Sequence, residues 1–243
     1  MHTATHRILI TGATGVIGGA VARSLARPGV TAVLQCMSAE EKAAGLKKDV
    51  EEAGAAAHVV CADFASVEGS KEIVARAAKL MGGLDLLVHA AAVFERTPFG
   101  EVTGDQWEKI IAVDLRAAFF IAQEAGIAMQ REGGRMIFLS DVAAVKPYAG
   151  YLPYCIAKAG IDALVRGLAK SLAPKVQVNA VAPYVVTRPS GMTDKGWDDL
   201  LSKTPMRRAS KPEEVAAVVK MLAESGESIT GQVISVDGGR LLR

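Results

Sequence analysis

Arg7-Ile8-Leu9-Ile10-Thr11-Gly12-Ala13-Thr14-Gly15-Val16-Ile17-Gly18 sets an apolar strand directly against a loop with glycines three apart, and an amphipathic helix follows over Ala20 to Ala26. Strand, glycine loop and helix N-terminus in that order make an anion cradle. The glycines permit a tight turn and close backbone approach, and the amide hydrogens and helix dipole face the charge. Thr11, Gly12, Thr14, Gly15, Val16, Ile17 and Gly18 are therefore candidates to hold the pyrophosphate of a dinucleotide. Triplet spacing alone recurs by accident in a glycine-rich chain. Its weight here comes from its position after the first strand.

Working outward, further short apolar runs occur at Ala32 to Cys36, Ala57 to Cys61, Leu84 to Ala90, Arg135 to Leu139, Val176 to Ala182 and Gln232 to Val236. Helix-length segments begin near Val16, Ala39, Glu68, Thr103, Pro153 and Lys211. Strands alternating with helices predict an α/β chain: a seven-stranded parallel sheet, doubly wound with helices on both faces, in one Rossmann domain over 1–243. The long interruption at 184–210 reads as a lid with a short helix around Asp194 to Ser202. Val236-Asp237-Gly238-Gly239 reads as a strand entering a final turn.

A chain of 243 residues, half of them hydrophobic, can bury one large core. The formal charge is +2 and basic runs do not exceed two residues, which argues against nucleic acid as a partner. Met1 to Arg7 shows no signal-peptide pattern and no 18-residue apolar stretch follows, so the expectation is a soluble, cytoplasmic protein with no membrane partner. Cys36, Cys61 and Cys155 are odd in number, widely spaced and without metal-ligand spacing. They read as reduced thiols packed in a core, and no metal is expected.

The second strand ends Gln35-Cys36-Met37-Ser38. An acid at that point would favour NAD(H) by binding the free ribose hydroxyl and repelling a 2′-phosphate, and its absence tilts the reading to NADP(H), with Lys42 the nearest cation. Ser38 and the Asp63-Phe64 pair after the third strand are candidates for the adenosine end. Asp63 could equally cap the next helix. Tyr154 and Lys158 lie four apart at the start of a helix and project from one face. An ammonium beside a phenol, together with a positive nicotinamide ring, stabilises phenolate, so the two are expected to lower the Tyr154 pKa toward working pH for proton transfer.

Taken together, the glycine loop, Asp63, His89-Ala90-Ala91-Ala92, Tyr154 with Lys158, Val178 to Pro183 and Asp237-Gly238-Gly239 resemble the short-chain dehydrogenase/reductase family along essentially the whole chain. The resemblance implies an oxidoreductase with a nicotinamide cofactor contacted by Ala90, Ala91, Tyr154, Lys158, Pro183 and Val186. It also implies a small-molecule substrate and a homo-oligomer, commonly a tetramer. His89 reads as a hydrogen-bonded structural histidine. Several positions depart from the family pattern. Asp141 stands where a substrate-binding serine is usual, with Ser140 expected on the opposite face. Asp114 stands for a catalytic-site asparagine, Tyr184 for a glycine after Pro183, and Val16 for the loop arginine of pteridine reductases.

Asp141, Phe94 and the segment Gly150 to Cys155 are similar to the pteridine reductase branch, including dihydromonapterin reductases. In that branch an aspartate assists protonation of a ring nitrogen and an aromatic stacks on the pterin. Phe94, Tyr148, Tyr151, Tyr184 and Trp197 are candidate substrate contacts, or packing aromatics. Three functions stay open: reduction of a pteridine-like C=N bond, an ordinary carbonyl or 3-oxoacyl reductase, and a silent dinucleotide-binding scaffold.

Overall fold

The computed structural model describes residues 6–38, 40–189, 191–224 and 227–242. Its strands are β1 (Arg7–Thr11), β2 (Thr31–Cys36), β3 (Ala56–Cys61), β4 (Leu86–His89), β5 (Gly134–Leu139), β6 (Val176–Pro183) and β7 (Val233–Val236). They form one sheet in the order β3-β2-β1-β4-β5-β6-β7, every neighbouring pair parallel. The helices are α1 (Val16–Leu25), α2 (Glu40–Glu52), α3 (Val67–Met81), α4 (Gly104–Ile111), α5 (Ala117–Met129), α6 (Leu152–Leu172), α7 (Asp194–Ser202) and α8 (Pro212–Glu224). The expected doubly wound α/β fold is therefore present.

Burial follows the strand period. Ile8 and Ile10 enter one core layer with Val21, Leu25 and Val219, while Leu9 enters the other with Ile73, Ile121 and Phe138. Both faces of the central strands are dry, which is why they read as unbroken apolar runs rather than alternating ones. The strand order reverses between β1 and β4, and the crevice beyond the carboxyl ends of these strands is the usual ligand position in open α/β sheets.

The expected start of the second helix, Ala39, lies outside the described residues. Two other points differ from the sequence reading. β4 begins at Leu86 rather than Leu84, because Asp85 turns its carboxylate onto the first strand: Oδ2 accepts the amides of His6 (3.1 Å) and Arg7 (2.9 Å), and Oδ1 accepts Arg7 Nε (3.0 Å). The single helix expected from Thr103 is a rod in which α4 passes through a π-helical turn, Ala112–Arg116, into α5. Thr103 starts it with a reciprocal cap, its hydroxyl accepting from Gln106 N while the Gln106 side chain accepts from Thr103 N.

Candidate active site

The glycine loop crosses the crevice from β1 to α1. Gly12 has φ +63°, and a Cβ there would stand 2.7 Å from Ala91 Cα, while one on Gly18 would stand 2.3 Å from the Gly12 carbonyl oxygen. These two glycines are thus required by the loop's own closure against the turn after β4, before any ligand is considered. α1 begins at Gly15 with no side-chain cap and no acid in its first turn, so its first amides have no side-chain acceptor and suit a pyrophosphate. Thr14 is half-buried, and Gly15 and Val16 are exposed at the loop's outer edge, while Ile17 packs partly on the core.

Two expected cofactor contacts need correction. Thr11 is fully buried, and its hydroxyl bonds His89 Nδ1 (2.9 Å) and accepts the amides of Ala90 (3.2 Å) and Ala91 (3.4 Å). Its side chain fixes the turn that presents Ala90 and Ala91 and has nothing left for a ligand. The Phe64 ring is likewise core, 6.4 Å from the His89 ring. His89 itself is buried, and desolvation lowers its pKa to about 3, so it is neutral. Asp63 is exposed and does not cap α3: its Oδ1 accepts Ala65 N, and Ser66 caps the helix by accepting Gly69 N. Ser38 is exposed beyond the end of β2, and Lys42 lines a cleft of about 520 Å³ with Thr14, Gly15 and Val16.

Gln35 was not anticipated. Buried in β2, its Oε1 accepts Gly12 N (2.8 Å) and its Nε2 donates to the Ala62 carbonyl (2.8 Å). One amide side chain thus ties the glycine loop to the end of β3. A glutamine inside an otherwise apolar strand was the available signal, because a buried amide needs partners.

On the other side of the crevice, α6 carries Tyr154 and Lys158 one turn apart, both buried. Asp141 caps the short turn Val142–Ala144 and faces them. Its Oδ1 accepts Ala143 N (2.7 Å) and the Tyr148 hydroxyl (2.9 Å), and its Oδ2 accepts the Tyr154 hydroxyl (2.9 Å). Ser140 points away, donating to Asp162 at 2.5 Å, so strand alternation keeps its hydroxyl out of the crevice as expected. Lys158 Nζ donates to the Leu139 carbonyl (2.9 Å) and lies 5.5 Å from the Tyr154 ring.

The protein's own groups act on the Tyr154 pKa in the direction opposite to the lowering expected from Lys158 and a nicotinamide ring. Burial first, and then the Asp141 carboxylate against the phenol, push it well above its ordinary value. Burial also raises Asp141, against the opposing hydrogen bonds from Ala143, Tyr154 and Tyr148. Burial therefore favours the neutral form of both groups: the phenol keeps its proton, and Asp141 takes one up more readily than a solvated carboxylate does. Asp114, on the π-helical turn, accepts Val93 N through Oδ1 (2.6 Å) while its buried Oδ2 has no partner, and burial raises its pKa to about 6.

Aromatic rings wall the mouth of this site. Phe94 stacks on Tyr151 (4.4 Å, 5° between planes) and meets Tyr154 edge-on at 4.9 Å, and Tyr148 lies 6.4 Å from Tyr151 and 6.1 Å from Tyr184. Phe94 is 52% exposed, but Tyr151 already takes one face of the ring that was expected to stack on substrate. Trp197 makes none of these ring contacts among the described residues, and α7 has no buried residue. Arg240, also unanticipated, places its guanidinium 5.4 Å over the Tyr184 ring. Pro183 is buried at the end of β6, Val186 packs partly on the core and Thr187 is exposed. Ser210 N donates to the Val185 carbonyl (2.9 Å), and Arg208 is committed to Glu214 (2.7 and 2.6 Å).

A glycine loop at a topological switch point opposite a buried tyrosine and lysine defines a Rossmann-type dinucleotide oxidoreductase. The family profile described as Enoyl-(Acyl carrier protein) reductase matches residues 12–240. Acetoacetyl-CoA reductase of Allochromatium vinosum is 34% identical over 238 residues, 95% of this chain and 96% of that protein. The 3-oxoacyl-acyl-carrier-protein reductase of Aquifex aeolicus is 33% identical over 238 residues, 95% of each. A solved short-chain dehydrogenase/reductase from Serratia marcescens superposes with a TM-score of 0.91 at 29% identity, covering 98% of this chain and 99% of that one. The chain belongs to the short-chain dehydrogenase/reductase family and is a nicotinamide-dinucleotide-dependent oxidoreductase acting on a small molecule. Among the described residues, no helix is long and apolar enough to cross a membrane.

Proposed function

We propose that this protein reduces the C=N bond of a pteridine-like heterocycle with NADPH, acting as one Rossmann domain with a lid at 184–210. The observation carrying this reading is Asp141, which occupies a family serine position and is hydrogen-bonded to Tyr154 and Tyr148 at 2.9 Å each. An ionised carboxylate there would repel a developing alkoxide. A carboxylic acid, or a carboxylate facing a protonated ring nitrogen, fits.

The bound dinucleotide supplies the hydride. The glycine loop and the first amides of α1 hold the pyrophosphate, Ser38 and Asp63 border the adenosine, and Ala90, Ala91, Pro183 and Val186 line the nicotinamide end through their backbones. Lys158 binds the ribose and keeps positive charge beside the reacting phenol. Tyr154 delivers its proton to the substrate nitrogen, and Asp141, in its protonated form, orients that nitrogen, passes its proton to Tyr154 and regains one from solvent, with Tyr148 as its second hydrogen-bond partner. Asp114 holds the segment leading to Phe94 through Val93 N, and Phe94, Tyr148, Tyr151 and Tyr184 flank the ring system, with Trp197 above them when the lid folds down.

The NADP(H) preference rests on the absence of an acid at Gln35 to Ser38 and on Lys42 beside the loop. Lys42→Ala is expected to lower kcat/KM for NADPH and spare that for NADH. Work in the reducing cytoplasm is part of the same proposal, as is self-association, with exposed Phe119 and Ile127 on α5 as the apolar surface; light scattering of the eluted protein gives the oligomer size.

A second reading, reduction of a 3-oxoacyl thioester, is favoured by the two reductases to which the chain is similar. Oxidation of NADPH, and separately of NADH, with dihydrobiopterin and with acetoacetyl thioesters and small ketones decides between them. Dihydropterin turnover that Asp141→Ser abolishes supports the pteridine reading. Turnover of ketones alone, or their improvement by Asp141→Ser, replaces it with the second.

A further inference from the structure

We propose that Cys36 and Cys61 form an oxidation-sensitive dithiol that weakens dinucleotide binding when it closes to a disulfide; the consequence for binding rests on the placement of adenosine given above. The two cysteines are 25 residues apart in sequence, but they are register partners on the hydrogen-bonded parallel strands β2 and β3. Their Sγ atoms stand 3.5 Å apart. Adjacent strands run about 4.8 Å apart, inside the Cα separation of roughly 4.4–6.8 Å that a disulfide spans. Bond formation requires the sulfurs to approach by roughly 1.5 Å, to about 2.05 Å, a displacement side-chain rotation and a small strand adjustment can supply.

Access is asymmetric in the way a two-step exchange needs. Cys61 is exposed because β3 is an edge strand, whereas Cys36 is 1% exposed. With a low-molecular-weight disulfide such as oxidised glutathione, the Cys61 thiolate attacks one sulfur, the glutathione S–S bond breaks and one glutathione thiolate leaves. The Cys36 thiolate then attacks the Cys61 sulfur and displaces the second glutathione. Two protein thiols are oxidised to one disulfide, and one oxidised glutathione becomes two reduced ones.

The pair lies between groups proposed to meet the cofactor. Met37 and Ser38 follow Cys36, and Asp63 is two residues beyond Cys61. The Cys36 carbonyl accepts Ala62 N (3.1 Å), and the Ala62 carbonyl accepts Gln35 Nε2, whose amide also holds Gly12. Drawing the two sulfurs together therefore shifts the strand ends that hold the glycine loop.

The purified full chain is titrated with oxidised glutathione, digested without reductant and mapped by mass, and NADPH affinity is read by fluorescence at each step. The expected result is a linked Cys36–Cys61 peptide with Cys155 outside it, and NADPH binding weakened about tenfold, the size of one lost charge-assisted hydrogen bond. Dithiothreitol restores affinity, Cys61→Ser is insensitive to the oxidant, and Cys36→Ala keeps glutathione on Cys61 and yields no linked peptide. Glutathione retained on Cys61 with Cys36 unlinked overturns the pairing. A linked peptide with unchanged NADPH affinity overturns the coupling. If Asp63→Ala leaves NADPH affinity of the reduced protein unchanged, the adenosine placement fails and the coupling falls with it, while the linked peptide still reports the pairing.

Discussion

Asp114 is the residue whose ionisation bears most directly on stability. Its pKa rises from 3.8 to about 6 on folding because its carboxylate is buried with one oxygen unpartnered. The folded state then binds more protons than the unfolded one between those values, so this group's contribution to stability falls as pH rises through the window and stays lost above it. The shift is worth roughly 3 kcal/mol. Asp114→Asn keeps the acceptor for Val93 N and removes the charge. Thermal unfolding of the pair should show the variant more stable above pH 6 and the advantage shrinking toward pH 4. Tyr154→Phe is expected to reduce kcat by at least about a hundredfold while leaving NADPH affinity within a few-fold, since general acid catalysis contributes on that order; parallel turnover and binding measurements check it. The sequence made Tyr154, Lys158 and Asp141 visible as types at a spacing. It could not show that Asp141 sits on Tyr154, because that contact depends on how the turn at Val142–Ala144 aims the carboxylate, which pushes the phenol pKa up from its own side of the site.

Among elements, the order of the seven strands was legible, since short apolar runs and glycine punctuation are local signals, whereas the π-helical break between α4 and α5 was not. α7 falls where the sequence placed it, over Asp194–Ser202. What local patterns missed was the division of labour among the glycines. Gly12 and Gly18 serve the loop's contact with the β4 turn and with itself, a three-dimensional fact that spacing does not contain. Gly12→Ala should therefore destabilise the apo protein by a few kcal/mol, measurable by denaturant unfolding without cofactor; unchanged apo stability with lost NADPH binding would assign Gly12 to the ligand alone. The same limit explains Thr11 and Phe64. Their positions in the pattern suggested a cofactor site, and both side chains point into the core.

Across the molecule, the amino ends and carboxyl ends of the strands do different work. Asp85, at the amino end, clamps Arg7 and the amides of residues 6 and 7, far along β1 from the glycine loop. Asp85→Ala should cost roughly 3 kcal/mol or more, because it strands donors that are partly shielded from water. KM for substrate and cofactor should stay within about twofold if the two ends are energetically independent. Urea unfolding and steady-state kinetics on one preparation test both halves of that statement. The aromatic wall was foreseen as a set of residues but not as an assembly: Trp197 stands apart, and Arg240 joins from the chain's far end, a pairing no local pattern encodes.

The π-helical turn at Ala112–Arg116 gives the rod from α4 to α5 one residue of slack. Removing a single residue, Val113, would let it relax into an unbroken α-helix with every peptide still bonded, and that shorter chain should fold. Because the wide turn itself absorbs the extra residue, α4 and α5 would keep their faces, and what would move is Asp114 within the turn, off Val93. The length of this stretch is therefore under chemical rather than architectural constraint, and relatives that have lost or gained one residue here should differ in what they turn over before they differ in shape.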